Sequence, residues 1–230
     1  MSKKKNTQKA DNFQEVESAL TKTEQYIEEN QKTLSTIVLI LIAIVAGYFA
    51  YMKFYVKPLE EEAASQMFVA EQYFEKDSFN LAINGDGNYL GFIDIIDEYG
   101  VTKSANLANY YAGISYLKLG QYEEAIDYLK DFDSDDQIIA PIALGAIGDA
   151  YSELGDNDEA ISYYLKAAEK NSNKFTTPVF LMKAAKVYEA DNNYKESLEI
   201  YNNIKDNYPT AKQARFIEKY IKRAELNIEK

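Results

Sequence analysis

Hydrophobic and polar positions along the chain fall into two regimes. From Thr33 to Met52 twenty residues carry no charge, and Ile37 to Val45 is almost wholly branched aliphatic. At about 1.5 Å per residue that length is about 30 Å, the thickness of a bilayer's hydrocarbon core. The nine Ile, Val, Leu and Phe residues from Ile37 to Phe49 favour insertion by roughly 3–5 kcal/mol. The pattern predicts a single transmembrane helix over residues 33–55, with Tyr48, Phe49, Tyr51, Phe54 and Tyr55 gathered at one interface. A buried core helix and a cleaved signal peptide are the competing readings. Some thirty residues precede the run and no small-x-small cleavage pattern follows it, which favours an anchor. Ahead of the span, Phe13, Val16, Leu20 and Ile27 recur at helical spacing and predict an amphipathic helix over 11–31, inside a leader of residues 1–32.

From residue 56 to 230 the apolar positions recur three and four apart, and the whole pattern repeats at about 35 residues. Gly113, Tyr116, Gly120, Ala125 and Leu129 are answered 35 positions later by Gly148, Tyr151, Gly155, Ala160 and Tyr164. A third copy runs from Leu181 to Tyr201, with Asn192 in place of the turn Gly and Ser197 in place of the small Ala. This predicts an all-α domain: a degenerate repeat over 63–99, repeats over 106–139, 141–175 and 178–209, and a capping helix over 211–228 through Ala214, Ile217, Ile221, Ala224 and Ile228.

Charge adds a direction. Residues 1–57 balance to +2 and residues 58–230 to −14. Lys3, Lys4, Lys5, Lys9, Lys22 and Lys32 precede the span, against Lys53 and Lys57 just after it, where Glu60, Glu61 and Glu62 follow at once, so a cytoplasmic N-terminus is expected. A domain so acidic repels nucleic acid and anionic lipid heads, and no nucleic-acid partner is expected. Ala43 and Gly47, with Ala46 and Ala50, have the small-xxx-small spacing that can seat a second transmembrane helix.

Candidate chemistry is sparse. The chain has no Cys and no His, which removes disulfides, thiolate nucleophiles, the usual zinc sites and imidazole bases. Asn84, Asp86 and Asn88 alternate like calcium ligands, but Tyr89 stands where a calcium loop needs Gly and Ile95 where it needs Glu, so a turn is expected. Asp131, Asp133, Asp135 and Asp136 fail the same test and read as a solvated loop. Asp149 and Glu189 are the one acid pair that could share a groove, with nothing to position a nucleophile. Neither catalysis, a cofactor nor a bound metal is expected.

The small, aromatic and Gly positions of each first helix, followed by Tyr, Ala and a bulky residue in the second, resemble the tetratricopeptide repeat, an α-solenoid of paired helices. Asn109, Leu144 and Leu181 stand where that pattern has Trp. The resemblance implies a concave, partner-binding groove lined by the first helices. Its positions fall on Leu107, Tyr110, Ile114 and Leu117, then Gly145, Asp149 and Ser152, then Met182, Lys186 and Glu189. Tyr110, Ile114, Gly145 and Asp149 replace the Lys, Asn and Arg with which some members clamp a terminal carboxylate.

The Lys-bearing leader, the stretch Tyr26 to Leu34 running into one span, and the repeat domain beyond resemble the ancillary subunit of the bacterial SecYEG translocon. That resemblance implies an inner-membrane protein whose C-terminal domain is periplasmic. It also implies partners: translocon subunits, a membrane-anchored periplasmic chaperone, and unfolded exported chains handed onward. The segment Asp206 to Ala211 also resembles the helix junction of envelope-assembly repeat lipoproteins, although the lipoprotein Cys is missing. A scaffold for outer-membrane or cell-envelope assembly is the alternative.

Overall fold

The structure, a computed structural model, describes residues 26–229. Most of the helix expected over 11–31 therefore lies outside the described residues. The chain divides into two units, Met1–Lys57 and Pro58–Lys230.

In the first unit, helix α1 (Gln31–Tyr51) has no buried residue, and a π-helical segment, Met52–Val56, follows it. Every large aliphatic side chain from Ile37 to Val45 is about half exposed or more. Nothing lies within 4 Å of the place a Cβ would take at Gly47, so the small-residue face is open. By length and composition the helix suffices to cross a membrane.

The second unit is a run of helices: α2 (Lys57–Glu75), α3 (Phe79–Asn84), α4 (Phe92–Tyr99), α5 (Lys103–Leu119), α6 (Tyr122–Asp131), α7 (Ile139–Leu154), α8 (Asn157–Glu169), α9 (Thr177–Ala190), α10 (Tyr194–Asn207) and α11 (Ile217–Ile228). From α4 onward each helix packs on its neighbours in sequence, and no strand occurs among the described residues. The pairs α5–α6, α7–α8 and α9–α10 form three repeats, each with a first (A) and a second (B) helix.

One turn joins A to B in all three. Gly120, Gly155 and Asn192 take positive φ of 76°, 79° and 61°. In each the backbone N–H of that residue and of the next reach back to carbonyls in the last helical turn: Gly120 to Leu117 and Gln121 to Tyr116, Gly155 to Ser152 and Asp156 to Tyr151, Asn192 to Glu189 and Asn193 to Tyr188. This left-handed cap satisfies carbonyls the helix leaves orphaned, and Asn is the non-Gly residue that tolerates it best.

Small residues then bring A against B. A Cβ on Gly148 would meet the Tyr164 ring at 2.7 Å, and one on Gly113 would meet Leu129 at 2.5 Å. Ala125, Ala160 and Ser197, at the matching B positions, are fully buried. Beside these contacts Tyr116 stacks on Tyr128 and Tyr151 on Tyr163, with centroids 5.3 and 5.5 Å apart.

In the first, degenerate repeat the second helix is split. Asp86 accepts from the amides of Asn88 and Tyr89 at 2.9 Å and from the Tyr73 hydroxyl at 2.7 Å, so its carboxylate is occupied in closing a turn. Of the aspartates after α6, Asp136 behaves likewise, accepting from the amides of Ile138 and Ile139 ahead of α7.

The cap differs from the single helix expected over 211–228. Residues Lys212–Phe216 form a 3-10 turn and only Ile217–Ile228 is α-helical, with Ile228 exposed. In a 3-10 turn residues i and i+3 eclipse, so the Ala214 to Ile217 spacing fits both geometries and apolar periodicity cannot separate them.

Candidate partner-binding surface

The predicted groove positions separate into three environments. Leu107 is half-buried against the cluster containing Phe92, Ile95 and Ala108. Tyr110, Ile114 and Leu117 are half-buried against Ile126, Leu129, Ala143 and Ile147, which seats α5 on the next repeat. The Tyr110 ring lies 5.4 Å from that of Phe132, and burial raises its phenol pKa. These side chains present an edge to solvent while their bodies pack between repeats.

Asp149 and Ser152 meet Leu117 in a cleft of about 270 Å³, with Tyr122, Glu153 and Tyr164 also in its wall. Asp149 accepts from the Tyr164 hydroxyl at 2.7 Å and from Lys183 Nζ at 2.5 and 2.7 Å. Burial, then the Asp149 carboxylate, drives the Tyr164 phenol pKa up, so it remains a donor. Lys186 and Glu189 line a second cleft of about 560 Å³ with Tyr194, Tyr220 and Arg223. There Glu189 accepts from the Tyr201 hydroxyl at 2.9 Å, from Arg223 Nη2 at 2.5 Å, and from Arg223 Nε.

Two positions expected in the groove lie beneath its surface. Met182 is 7% exposed and belongs to the core cluster of α8 to α11. Gly145 is buried because the Phe180 ring of the next repeat fills the space of its missing side chain, so closely that a Cβ there would overlap it. A register of every third or fourth residue does not reveal which flank of an A helix its neighbour covers.

Pattern reasoning missed Lys183, Arg223, Tyr164 and Tyr201, yet a signal existed. Asp149–Lys183 and Glu189–Arg223 each pair residues 34 apart, and so does the hydrogen bond from Asn157 to Asp191. Opposite charges one repeat apart on successive A helices are neighbours in a stacked array. The two candidate acids therefore act as ties, each in its own cleft. Among the described residues no group of three or more His, Cys, Asp or Glu is placed to hold a metal.

Family comparison agrees with this architecture. One tetratricopeptide repeat family model matches residues 142–173, and a second matches 107–135 and 180–211. The chain carries tetratricopeptide repeats. Among solved structures it is similar to the nearly identical TPR-like repeats described as a kinesin light chain of Podosopora anserina, with a TM-score of 0.56 at 14% identity, covering 74% of this chain and 88% of that one. A singly substituted form of the same repeats gives 0.55 at 14% identity with the same coverage. Identity that low speaks for the fold alone. A comparison with curated proteins gave no match. Repeats of this kind point to a scaffold for protein–protein interaction, with proteins as partners.

Proposed function

We propose that this protein is a non-catalytic, membrane-anchored scaffold that holds protein partners beside a bilayer. The observation that carries the reading is α1, an apolar helix of 21 residues with none buried, joined by one continuous chain to a domain of tetratricopeptide repeats. Bulky aliphatic side chains left bare in water are unfavourable by about 25 cal/mol per Å², and hydrocarbon is the medium that suits them. Anchoring confines the repeats to a thin layer, which raises the effective concentration of a membrane partner and lets a weak surface suffice.

The finer reading follows the sequence resemblance. The N-terminus is cytoplasmic, the repeat domain is periplasmic, and the scaffold is an ancillary subunit of the bacterial translocon that passes emerging chains to an anchored chaperone. Six lysines ahead of the span against Lys53 and Lys57 after it support that orientation. Photo-crosslinkers at Tyr110 and Lys186 in intact cells test it. Capture of translocon subunits or nascent exported chains is expected, with little capture from a probe at the B-helix residue Lys130. Capture of outer-membrane assembly factors without translocon subunits selects the envelope-assembly scaffold.

A further inference from the structure

The linkers between successive repeats are tied in different ways. Between α8 and α9 the Thr177 hydroxyl, in the first turn of α9, donates to the Ala168 carbonyl of α8 at 3.0 Å, so one hydrogen bond bridges the two helices across the whole linker. Phe180 fills the space beside Gly145 and Asp149 holds Lys183, which fastens α7 to α9 as well. Glu189 and Arg223 fasten α9 to α11 in the same manner.

Among the described residues the linker between α6 and α7 carries no such bridge. Its start belongs to the first repeat: the Asn106 carboxamide, on α5, donates to the Asp133 carbonyl at 2.8 Å and accepts from the Asp133 amide at 3.0 Å. Its end belongs to the second. Asp136 accepts from the amides of Ile138 and Ile139, Asp135 pairs with Lys170, and Asn171 and Asn173 donate to the carbonyls of Asp135, Asp136 and Gln137. The change of side falls between Asp133 and Asp135, at Ser134, whose hydroxyl accepts from the Asp136 amide at 3.0 Å.

Packing across that linker is lighter too. Helix α6 meets α7 less extensively than α8 meets α9. Ile114 occupies the repeat position of Asp149, and among the described residues no ion pair joins the first repeat to the second. What crosses is exposed: Lys130 Nζ donates to the Tyr151 hydroxyl at 3.1 Å and Tyr122 to Glu153 at 3.5 Å. A pocket of about 100 Å³ among Leu129, Phe132, Ala140, Ala143 and Leu144 lies at the start of α7, and the cleft of about 270 Å³ lies at its end. In the core between them Ala143, Ala146 and Ala150 of α7 share one cluster with Ile126 and Leu129 of α6, a smooth face on which packed helices can slide.

We propose that the repeat domain is jointed at Ser134. The second and third repeats move with the cap as one body, and α5 with α6 rocks against it. The motion opens and closes the cleft that Leu117 and Tyr122 form with Ser152 and Glu153, so the partner-binding surface has an adjustable width on one side and a fixed one on the other. A hinge needs few residues, provided that the ties on either side stay with their own bodies. The joint lies wholly within the repeat domain and stands whether or not α1 spans a membrane.

Because the chain has no native Cys, nitroxide labels can be placed in pairs on the full-length protein in detergent micelles. Glu123, Asp158 and Lys195 are exposed and occupy the same place at the starts of α6, α8 and α10. Pulsed electron–electron resonance on Glu123→Cys with Asp158→Cys reads the joint, and Asp158→Cys with Lys195→Cys reads the fastened neighbour. The first distance distribution should be wider than the second by the about 1–2 Å expected of helices that slide. A first pair no wider than the second overturns the joint.

Discussion

Two helices of this protein are rich in apolar residues and meet opposite fates. In α1 none of 21 residues is buried, whereas α7 (Ile139–Leu154) buries eight of 16, among them Ala140, Ala143, Gly145, Ala146, Gly148 and Ala150. What separates them is side-chain size. The α7 face is built of Ala and Gly, which let Phe180 and Tyr164 approach its backbone. In α1 the face is Ile, Leu and Val pointing outward in every direction. A helix that meets a protein neighbour has room for that neighbour's side chains, and on the proposed spanning reading α1, set in fluid hydrocarbon, needs none.

The largest test of that contrast adds charge to α1. Leu41→Asp together with Ile44→Asp should cost about 2.5–3.5 kcal/mol for each charge at the bilayer centre, more than the insertion preference of the whole run. The double variant is expected to move from the membrane pellet to the alkaline supernatant. If it stays in the pellet, α1 is not what holds the protein there.

Next in size is the opposite change in α7. Gly145→Val puts methyl groups where the Phe180 ring lies and should cost about 1–3 kcal/mol. At about 2–4 °C per kcal/mol for a domain of this size, the melting temperature followed by circular dichroism should fall by several degrees. An unchanged melt would mean that α7 and α9 are not in contact at Gly145.

Smaller again is the tie between repeats. Asp149→Ala strands the Tyr164 hydroxyl and the Lys183 ammonium together, and should cost about 1–2 kcal/mol. Lys183→Met keeps the Tyr164 hydrogen bond and removes a pair that is about a third exposed, so it should cost under about 1 kcal/mol. Equal losses in the two variants would assign the whole effect to the ion pair.

The helices, their turns and their repeat were legible because each rests on local rules: apolar spacing, a residue tolerant of positive φ, a small residue facing a large one. The groove was less so. Tyr110 and Met182 carry the same apolar signal, yet one keeps a solvent edge and the other is closed over, because the neighbouring repeat decides which flank is covered. Lys183 and Arg223 were readable through their separation of 34 from Asp149 and Glu189, once charge is compared across repeats rather than within a helix.

Between the two extremes stands α2, which buries only Ala63, Met67 and Ala70 and carries Glu71 half-buried beside them. Desolvation first, and then Glu75 one turn along, raise the Glu71 pKa above its usual 4.5. The folded state then binds the proton more tightly than the unfolded chain does. The stability this gives is complete below the unfolded pKa and is lost as pH rises through the folded one. At neutral pH the ionised carboxylate therefore weighs against the fold. Glu71→Gln should raise stability at pH 7 by up to about 0.5 kcal/mol, the ceiling expected for a group this exposed. Glu75→Gln should give a smaller gain, since it removes only the second cause. In urea titrations both gains should fade as the pH is lowered into the carboxylate range. A gain for Glu71→Gln that persists undiminished in acid would mean the substitution acts through packing, and that α2 belongs with α7 rather than midway between the two helices.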